Sequence, residues 1–198
     1  MKVARARVSM WSVFLVLLSI ALSSLLGALL MAAHLPAPVD PSGLPALLSR
    51  EPGRYGGWQA VHVIAAGCNC SLAVADYLVN RRPLKHLKER VVIAGSDELL
   101  LARLAKSSFS VTTLPAEEAA NRYHLRGAPW LIFLSPDGKV AYAGGYAATA
   151  AALDGYQDAR IWEQLQAGSS VRELPAFGCV TGRRLQRAID PLGLKYGS

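Results

Sequence analysis

The chain has 198 residues, with 21 Lys+Arg against 14 Asp+Glu, 18% charged residues and 52% hydrophobic ones. This composition excludes intrinsic disorder, collagen, a coiled coil and a multi-span transporter, and the length suits one domain with an appendage. The mean hydropathy of +0.26 is high for a soluble protein, but the excess is local: no charged side chain occurs from Val8 to Ala33. Lys2, Arg5 and Arg7 precede that run, and without their three charges the formal net charge drops from +7 to +4. The net charge is therefore a poor argument for a nucleic-acid partner, and none is expected.

Residues 10–33 supply the ~20 apolar residues a helix needs to cross the hydrocarbon core. The basic segment 1–9 ahead of them, with Asp40 the first charge after them, leaves the N-terminus in the cytoplasm and exports everything downstream. A cleaved signal peptide is the competing reading. The run is longer than the ~7–15 residues of a typical signal core, and Met31-Ala32-Ala33 is a poor cleavage site, so an anchor is favoured. Either way the domain is exported, to the periplasmic or extracytoplasmic side of the membrane. Residues 34–57, rich in proline and glycine, read as an extended linker with a short helix near Leu44–Ser49. Residues 58–198 read as the folded domain.

Within that domain, Trp58–Ala65 is a β-rich run ending before Gly67 and Cys68-Asn69-Cys70-Ser71. Leu72, Val74, Ala75, Leu78 and Val79 then recur at helical spacing, with Pro83 as a break or kink and Leu84–Glu89 as a continuation. Val91–Ala94 is a buried strand. Asp97–Lys106 is a helix whose charges follow the macrodipole. Val111–Leu114 is extended, and Pro115 opens another helix that runs to Tyr123. Gly127–Leu134, the turn Ser135-Pro136-Asp137-Gly138 and Lys139–Tyr142 form a hairpin. Helices are predicted over Tyr156–Gln166 and Thr181–Ile189. The order strand–helix–strand–helix–helix–hairpin–helix argues for an α/β fold, a central mixed sheet flanked by helices on both faces.

Cysteines opening a helix after a strand, then Gly127-Ala128-Pro129 before the strand Trp130–Leu134, then Ser135-Pro136-Asp137-Gly138-Lys139-Val140 and the glycine pair Gly144-Gly145, resemble the thioredoxin-like superfamily. The similarity is to its membrane-anchored bacterial members and covers about residues 58–145. It implies a thioredoxin-like fold in which Pro129 is the cis-proline beside the active-site cysteines, where neighbouring backbone can hydrogen-bond a bound peptide. Two departures stand out. The family's usual pair has two intervening residues where Cys68 and Cys70 have one. Ala65 stands where peroxiredoxins carry Thr, which counts against a peroxidase.

Physical chemistry favours a reactive pair. A thiol at a helix N-terminus meets unsatisfied N–H groups and the positive dipole end, which stabilise the attacking thiolate. A Cys68–Cys70 disulfide closes a small ring from Cα atoms up to about 7 Å apart, and its strain makes it oxidising. Cys68, at the strand end, is the expected exposed nucleophile. Cys179 also precedes a helix. It reads either as a resolving or metal-ligating thiol, or as a structural one closing a loop worth about 4–5 kcal/mol in the chain-entropy model. An odd cysteine count in an exported protein points to exchange chemistry or soft-metal binding rather than a disulfide framework.

The expected function is a membrane-anchored envelope thiol–disulfide oxidoreductase. Its catalytic set is Cys68, Cys70, Cys179 and Pro129, it uses no cofactor or metal, and it acts on a thiol- or disulfide-bearing envelope protein. The alternative is Cu(I) binding or copper delivery on the same fold, which the three thiols would suit. His62 reads as a satisfied histidine within a strand, His86 and His124 as solvated histidines among polar helix residues, and His34 as part of the linker. Arg81, Arg82, Lys85, Lys88 and Arg90, and likewise Arg183, Arg184 and Arg187, read as solvated helix faces.

Overall fold

A computed structural model describes residues 10–32, 36–37, 40–48, 56–150, 155–193 and 196. The basic segment 1–9 and His34 lie outside them. The chain divides into two units, Met1–Leu35 and Pro36–Ser198.

In the first unit, α1 (Met10–Ala32) is a 23-residue helix. At 1.5 Å per residue it measures about 34 Å, enough to cross a hydrocarbon core. Its stretch Met10–Ala28 is long and apolar enough to span a membrane, with a mean hydropathy of 2.1 and none of it buried in protein.

The second unit begins with a two-residue strand β1 (Pro36–Ala37), a single 3-10 turn (Pro41–Gly43) and α2 (Leu44–Leu48). There follow β2 (Trp58–Ala65), α3 (Asn69–Asn80), β3 (Leu87–Ala94), α4 (Glu98–Leu104), β4 (Ser110–Leu114), α5 (Ala116–Arg122), β5 (Gly127–Ala128), β6 (Trp130–Leu134) and β7 (Val140–Gly144). The chain closes with α6 (Asp158–Gln166), β8 (Ala176–Phe177), β9 (Cys179–Val180) and α7 (Arg183–Ile189).

The main sheet has the order β4-β3-β2-β6-β7. β2 runs parallel to β3, which runs parallel to β4, while β6 is antiparallel to β2 and β7 to β6. Residues alternate across a strand, and β2 shows it. Ala60 and Ile64 face Val74, Ala75 and Leu78 of α3, Leu100 and Leu104 of α4 and Trp162 of α6. Val61 and Val63 face Ala119 of α5 with Leu125, Trp130 and Ile132. Two apolar layers thus sandwich one mixed sheet. With the cysteines at the end of β2 and a cis peptide between Ala128 and Pro129, this is the thioredoxin-like fold.

Some expectations are corrected. Residues 36–37 and 40–48, within the stretch read as linker, pack on the domain. Pro36 and Ala37 pair antiparallel with Phe177 and Ala176, Leu44 and Leu47 are buried in the core, and a Cβ on Gly43 would come within 2.2 Å of Tyr123 O. Leu44 and Leu47 find a hydrophobic partner, which a proline count cannot reveal. Leu84–Glu89 is not helix: Leu87–Glu89 open β3, in register with Trp58–Ala60. His86 and His124 sit in turns with φ of 59° and 54° rather than on helices, and His124 Nδ1 lies 2.6 Å from Ser42 Oγ and 3.1 Å from Asp40. His86 is exposed, as expected, but Arg81 and Arg90 are not solvated. Arg90 is 5% exposed, and Arg81 is held in a buried ionic network.

Candidate redox site

The site forms where β2 stops and α3 starts. Gly67, with φ of 66°, makes the turn between them, and its N–H donates to Asp97 Oδ2 at 3.2 Å. Asp97 also caps α4 by accepting from Leu100 N–H at 3.0 Å, so one carboxylate fixes both the turn and the neighbouring helix. Cys68 is the N-cap of α3, in extended backbone geometry and with no side-chain capping bond of its own. On α3, Ser71, Val74, Ala75 and Leu78 are the buried residues, the i, i+3, i+4, i+7 stripe of a packed helix.

Ser71 puts a polar group on that stripe, and the fold uses it. Its hydroxyl accepts the Ala65 N–H at 2.9 Å, and Ser71 also helps to lower the Cys68 thiol. Cys179 and then Cys70 supply stronger hydrogen bonds to that same sulfur. Together these donors outweigh burial and hold the Cys68 thiol far below its ordinary value of 9.0. Two thiols and the start of a helix are turned toward the Cys68 sulfur, an arrangement that favours its thiolate.

Exposure departs from expectation. Cys68, expected to be the exposed nucleophile, is 3% exposed, whereas Cys70 is exposed and Cys179 intermediate. Cys68 lies in an apolar nest with Ala65 and Ala128, and Cys179 packs on it. Its Sγ lies 3.8 Å from Ala128 O. The cover comes from β9, which pairs antiparallel with β5 and sets Cys179 opposite Ala128 and Val180 opposite Gly127. Cys70 instead lines a shallow cleft of about 50 Å³ together with Pro129, Tyr146, Tyr156 and Phe177. The structure therefore gathers all four predicted site residues. Residues of the same neighbourhood that the sequence did not single out are Ser71, Asp97, Tyr146 and Tyr156. For Ser71 a signal existed, a serine three residues into the helix on its apolar stripe.

Behind the cleft lies a buried polar network. His62 is fully buried, with Nδ1 2.7 Å from Tyr146 Oη and Nε2 3.1 Å from Glu89. Glu89 also binds Arg81 and accepts the Leu84 N–H at 2.8 Å. Arg81 Nε lies 2.9 Å from Asp158, to which Tyr77 donates at 2.6 Å. Burial raises the Glu89 carboxyl, but hydrogen bonds from His62 and Arg81 and the Arg81 charge bring it down to about 2. Burial, and after it the Asp158 charge, lifts the Tyr146 hydroxyl well above its ordinary range. This network braces β2, β3, α3 and α6 beneath the cleft. Among the described residues, no group of three His, Cys, Asp or Glu side chains is disposed to hold a metal ion.

No family model and no curated protein matches the chain. Among solved structures, an uncharacterised conserved protein from Geobacillus kaustophilus is similar at 18% identity, over 63% of this chain and 76% of that one, with a TM-score of 0.47. The thioredoxin domain of a thiol-disulfide oxidoreductase from Bacteroides vulgatus is similar at 22% identity, over 44% and 69%, with a TM-score of 0.36. A secreted Mycobacterium tuberculosis disulfide oxidoreductase homologous to E. coli DsbE is similar at 16% identity, over 56% and 82%, also with a TM-score of 0.36.

Proposed function

We propose that the chain is a membrane-anchored thiol–disulfide oxidoreductase. Its domain lies outside the cytoplasm and exchanges disulfides with envelope proteins. The observation that carries this reading is the convergence of the Cys70 and Cys179 thiols on the Cys68 sulfur beside the cis peptide of Pro129. A purely structural role would call for one pair of cysteines, whereas two further sulfurs beside the Cys68 sulfur allow a mixed disulfide to form and then be resolved. The sidedness follows from Lys2, Arg5 and Arg7 ahead of the apolar helix.

In the reducing direction, the Cys68 thiolate attacks one sulfur of a partner disulfide. A Cys68–partner disulfide forms, and the partner's second sulfur leaves as a thiolate that takes a proton from water. Cys70 or Cys179, once deprotonated, then attacks Cys68 Sγ. The new bond joins two cysteines of this chain, and the partner's first sulfur leaves reduced. Two electrons pass to the partner, and the same steps run backwards oxidise it.

The test is exchange with a cysteine-containing peptide disulfide, catalysed by the full chain in non-ionic micelles. Cys68→Ser is expected to abolish it while the circular dichroism spectrum stays that of the parent. Cys70→Ser is expected to slow the release of the mixed disulfide. Full activity in both variants would refute the reading.

A further inference from the structure

The Cys68 thiolate is covered by the chain's own residues 176–181, and the manner of the covering identifies what else could sit there. β9 runs antiparallel to the backbone that leads into cis-Pro129. The pairing continues beyond β9, where the Thr181 N–H donates to Arg126 O at 2.9 Å and its hydroxyl to Leu125 O. This strand lies along the edge of Leu125–Ala128 as an added peptide strand would, by main-chain hydrogen bonds with one cysteine aimed at the site.

The strand's contact with the proline is very close. A Cβ on Gly178 would stand 2.0 Å from Ala128 O and 2.6 Å from Pro129 Cδ, distances no side chain tolerates. The residue before the cysteine must therefore be glycine for the strand to reach this register. The hold on the strand is also short. β8 and β9 are two residues each, and α7, which follows, buries no side chain. Ala176, Val180 and Thr181 are buried, so the segment is held by these three side chains and two short pairings, and a segment so held opens at lower cost than the central sheet.

We propose that residues 176–181 are a resident, displaceable occupant of a peptide edge along Leu125–Ala128. The partner of this protein then carries an extended Gly-Cys segment that replaces the resident strand in the same register and brings its own sulfur to Cys68. This deepens the oxidoreductase reading and rests on it. The partner's disulfide supplies the oxidant: Cys68 bonds to the cysteine next to the partner's glycine, and the other half of that disulfide leaves as a thiolate. Cys70, once deprotonated, then attacks Cys68 Sγ, the partner's sulfur leaves as a thiolate, and the resident strand returns over the Cys68–Cys70 disulfide.

The test uses the full chain in non-ionic micelles and two peptides, each as its symmetrical disulfide. One is Ala-Phe-Gly-Cys-Val-Thr, the resident sequence, and the other has Leu in place of Gly. The glycine peptide is expected to form the Cys68 mixed disulfide about tenfold faster or more, as for a segment that fits a closely approached edge against one that cannot. Gly178→Val, whose side chain cannot fit beside Pro129, is expected to raise the iodoacetamide labelling rate of Cys68 by about tenfold, as for a group freed from the need for local opening. Equal rates for the two peptides on the parent chain would overturn the proposal, whether or not the variant folds. So would an unchanged labelling rate in a Gly178→Val protein with the parent's circular dichroism. Faster labelling with no exchange of either peptide would uphold the displaceable strand and sink the oxidoreductase reading instead.

Discussion

The buried Glu89 makes a pH-dependent stability prediction that the structure quantifies. Its carboxylate binds Arg81 and His62 and accepts the Leu84 N–H, and it is 8% exposed. Burial opposes its charge, but those partners prevail and hold it at about 2, against an ordinary value of 4.5. At about 1.4 kcal/mol per unit, the ionised group contributes on the order of 3 kcal/mol to folding. The sign follows from which state takes up the proton first. Above pH ~5 the carboxyl is ionised in both the folded and unfolded chains, so its full contribution is present. As the pH falls through the unfolded value the unfolded chain binds a proton while the folded one resists, so by pH 3 about half of the contribution is lost. Glu89→Gln keeps the shape but turns an amide N–H₂ toward a donor, and Arg81 retains Asp158 as a counter-ion. Its cost should therefore be about 3 kcal/mol, the low end for a broken buried pair. Urea unfolding of the full chain in micelles, followed by near-ultraviolet circular dichroism, would measure it at pH 7 and pH 3. A gap between parent and variant that is below about 1 kcal/mol at pH 7, or that does not shrink toward pH 3, would refute this account.

Ser71→Ala removes a hydroxyl that serves both the Ala65 N–H and the Cys68 sulfur. The pH midpoint for alkylation of Cys68 should move upward, with about 1–3 kcal/mol of stability lost through the orphaned amide; an unmoved midpoint would show that the serine does not reach the thiolate. Phe133 is fully buried and stacked on Trp162 with ring centroids 5.9 Å apart. Phe133→Ala should cost about 3–5 kcal/mol and lower the thermal midpoint, and a midpoint within error of the parent's would place the core elsewhere.

The fold was legible in the chain because its elements announce themselves locally. β2 alternates Val61 and Val63 with Ala60 and Ile64, α3 carries a helical stripe, and Ser135–Gly138 forms the turn between β6 and β7. Where the sequence misled, a distant partner overrode a local cue. Arg81 belongs to a basic cluster along the chain, but β3 and α6 bring Glu89 and Asp158 against it. Leu44 sits among prolines, which suggest an extended tether, but it has a core to bury itself in. Polar residues between Pro83 and Glu89 resemble the end of a helix, but sheet register with β2 takes them from Leu87 onward.

The candidate site was legible in its membership and illegible in its exposure, for one physical reason. Helix placement and cysteine spacing are encoded within a few residues, and they sufficed to single out Cys68 and Cys70, while the resemblance to the thioredoxin-like superfamily added Pro129. Burial of Cys68 depends on a segment more than a hundred positions away, and nothing near Cys179 states that it will lie antiparallel to Gly127–Ala128. The glycine before it carried the clue. Phe177-Gly178-Cys179 has no turn to make, since no positive φ occurs at Gly178, so its glycine serves close approach rather than backbone freedom. What it approaches is the Ala128–Pro129 peptide. Hence the third cysteine does not sit as a remote spare: its position is set by the Gly127–Ala128 backbone with which its strand pairs. The architecture thus sets two further sulfurs beside that of Cys68, one on its own helix and one on a strand laid across it.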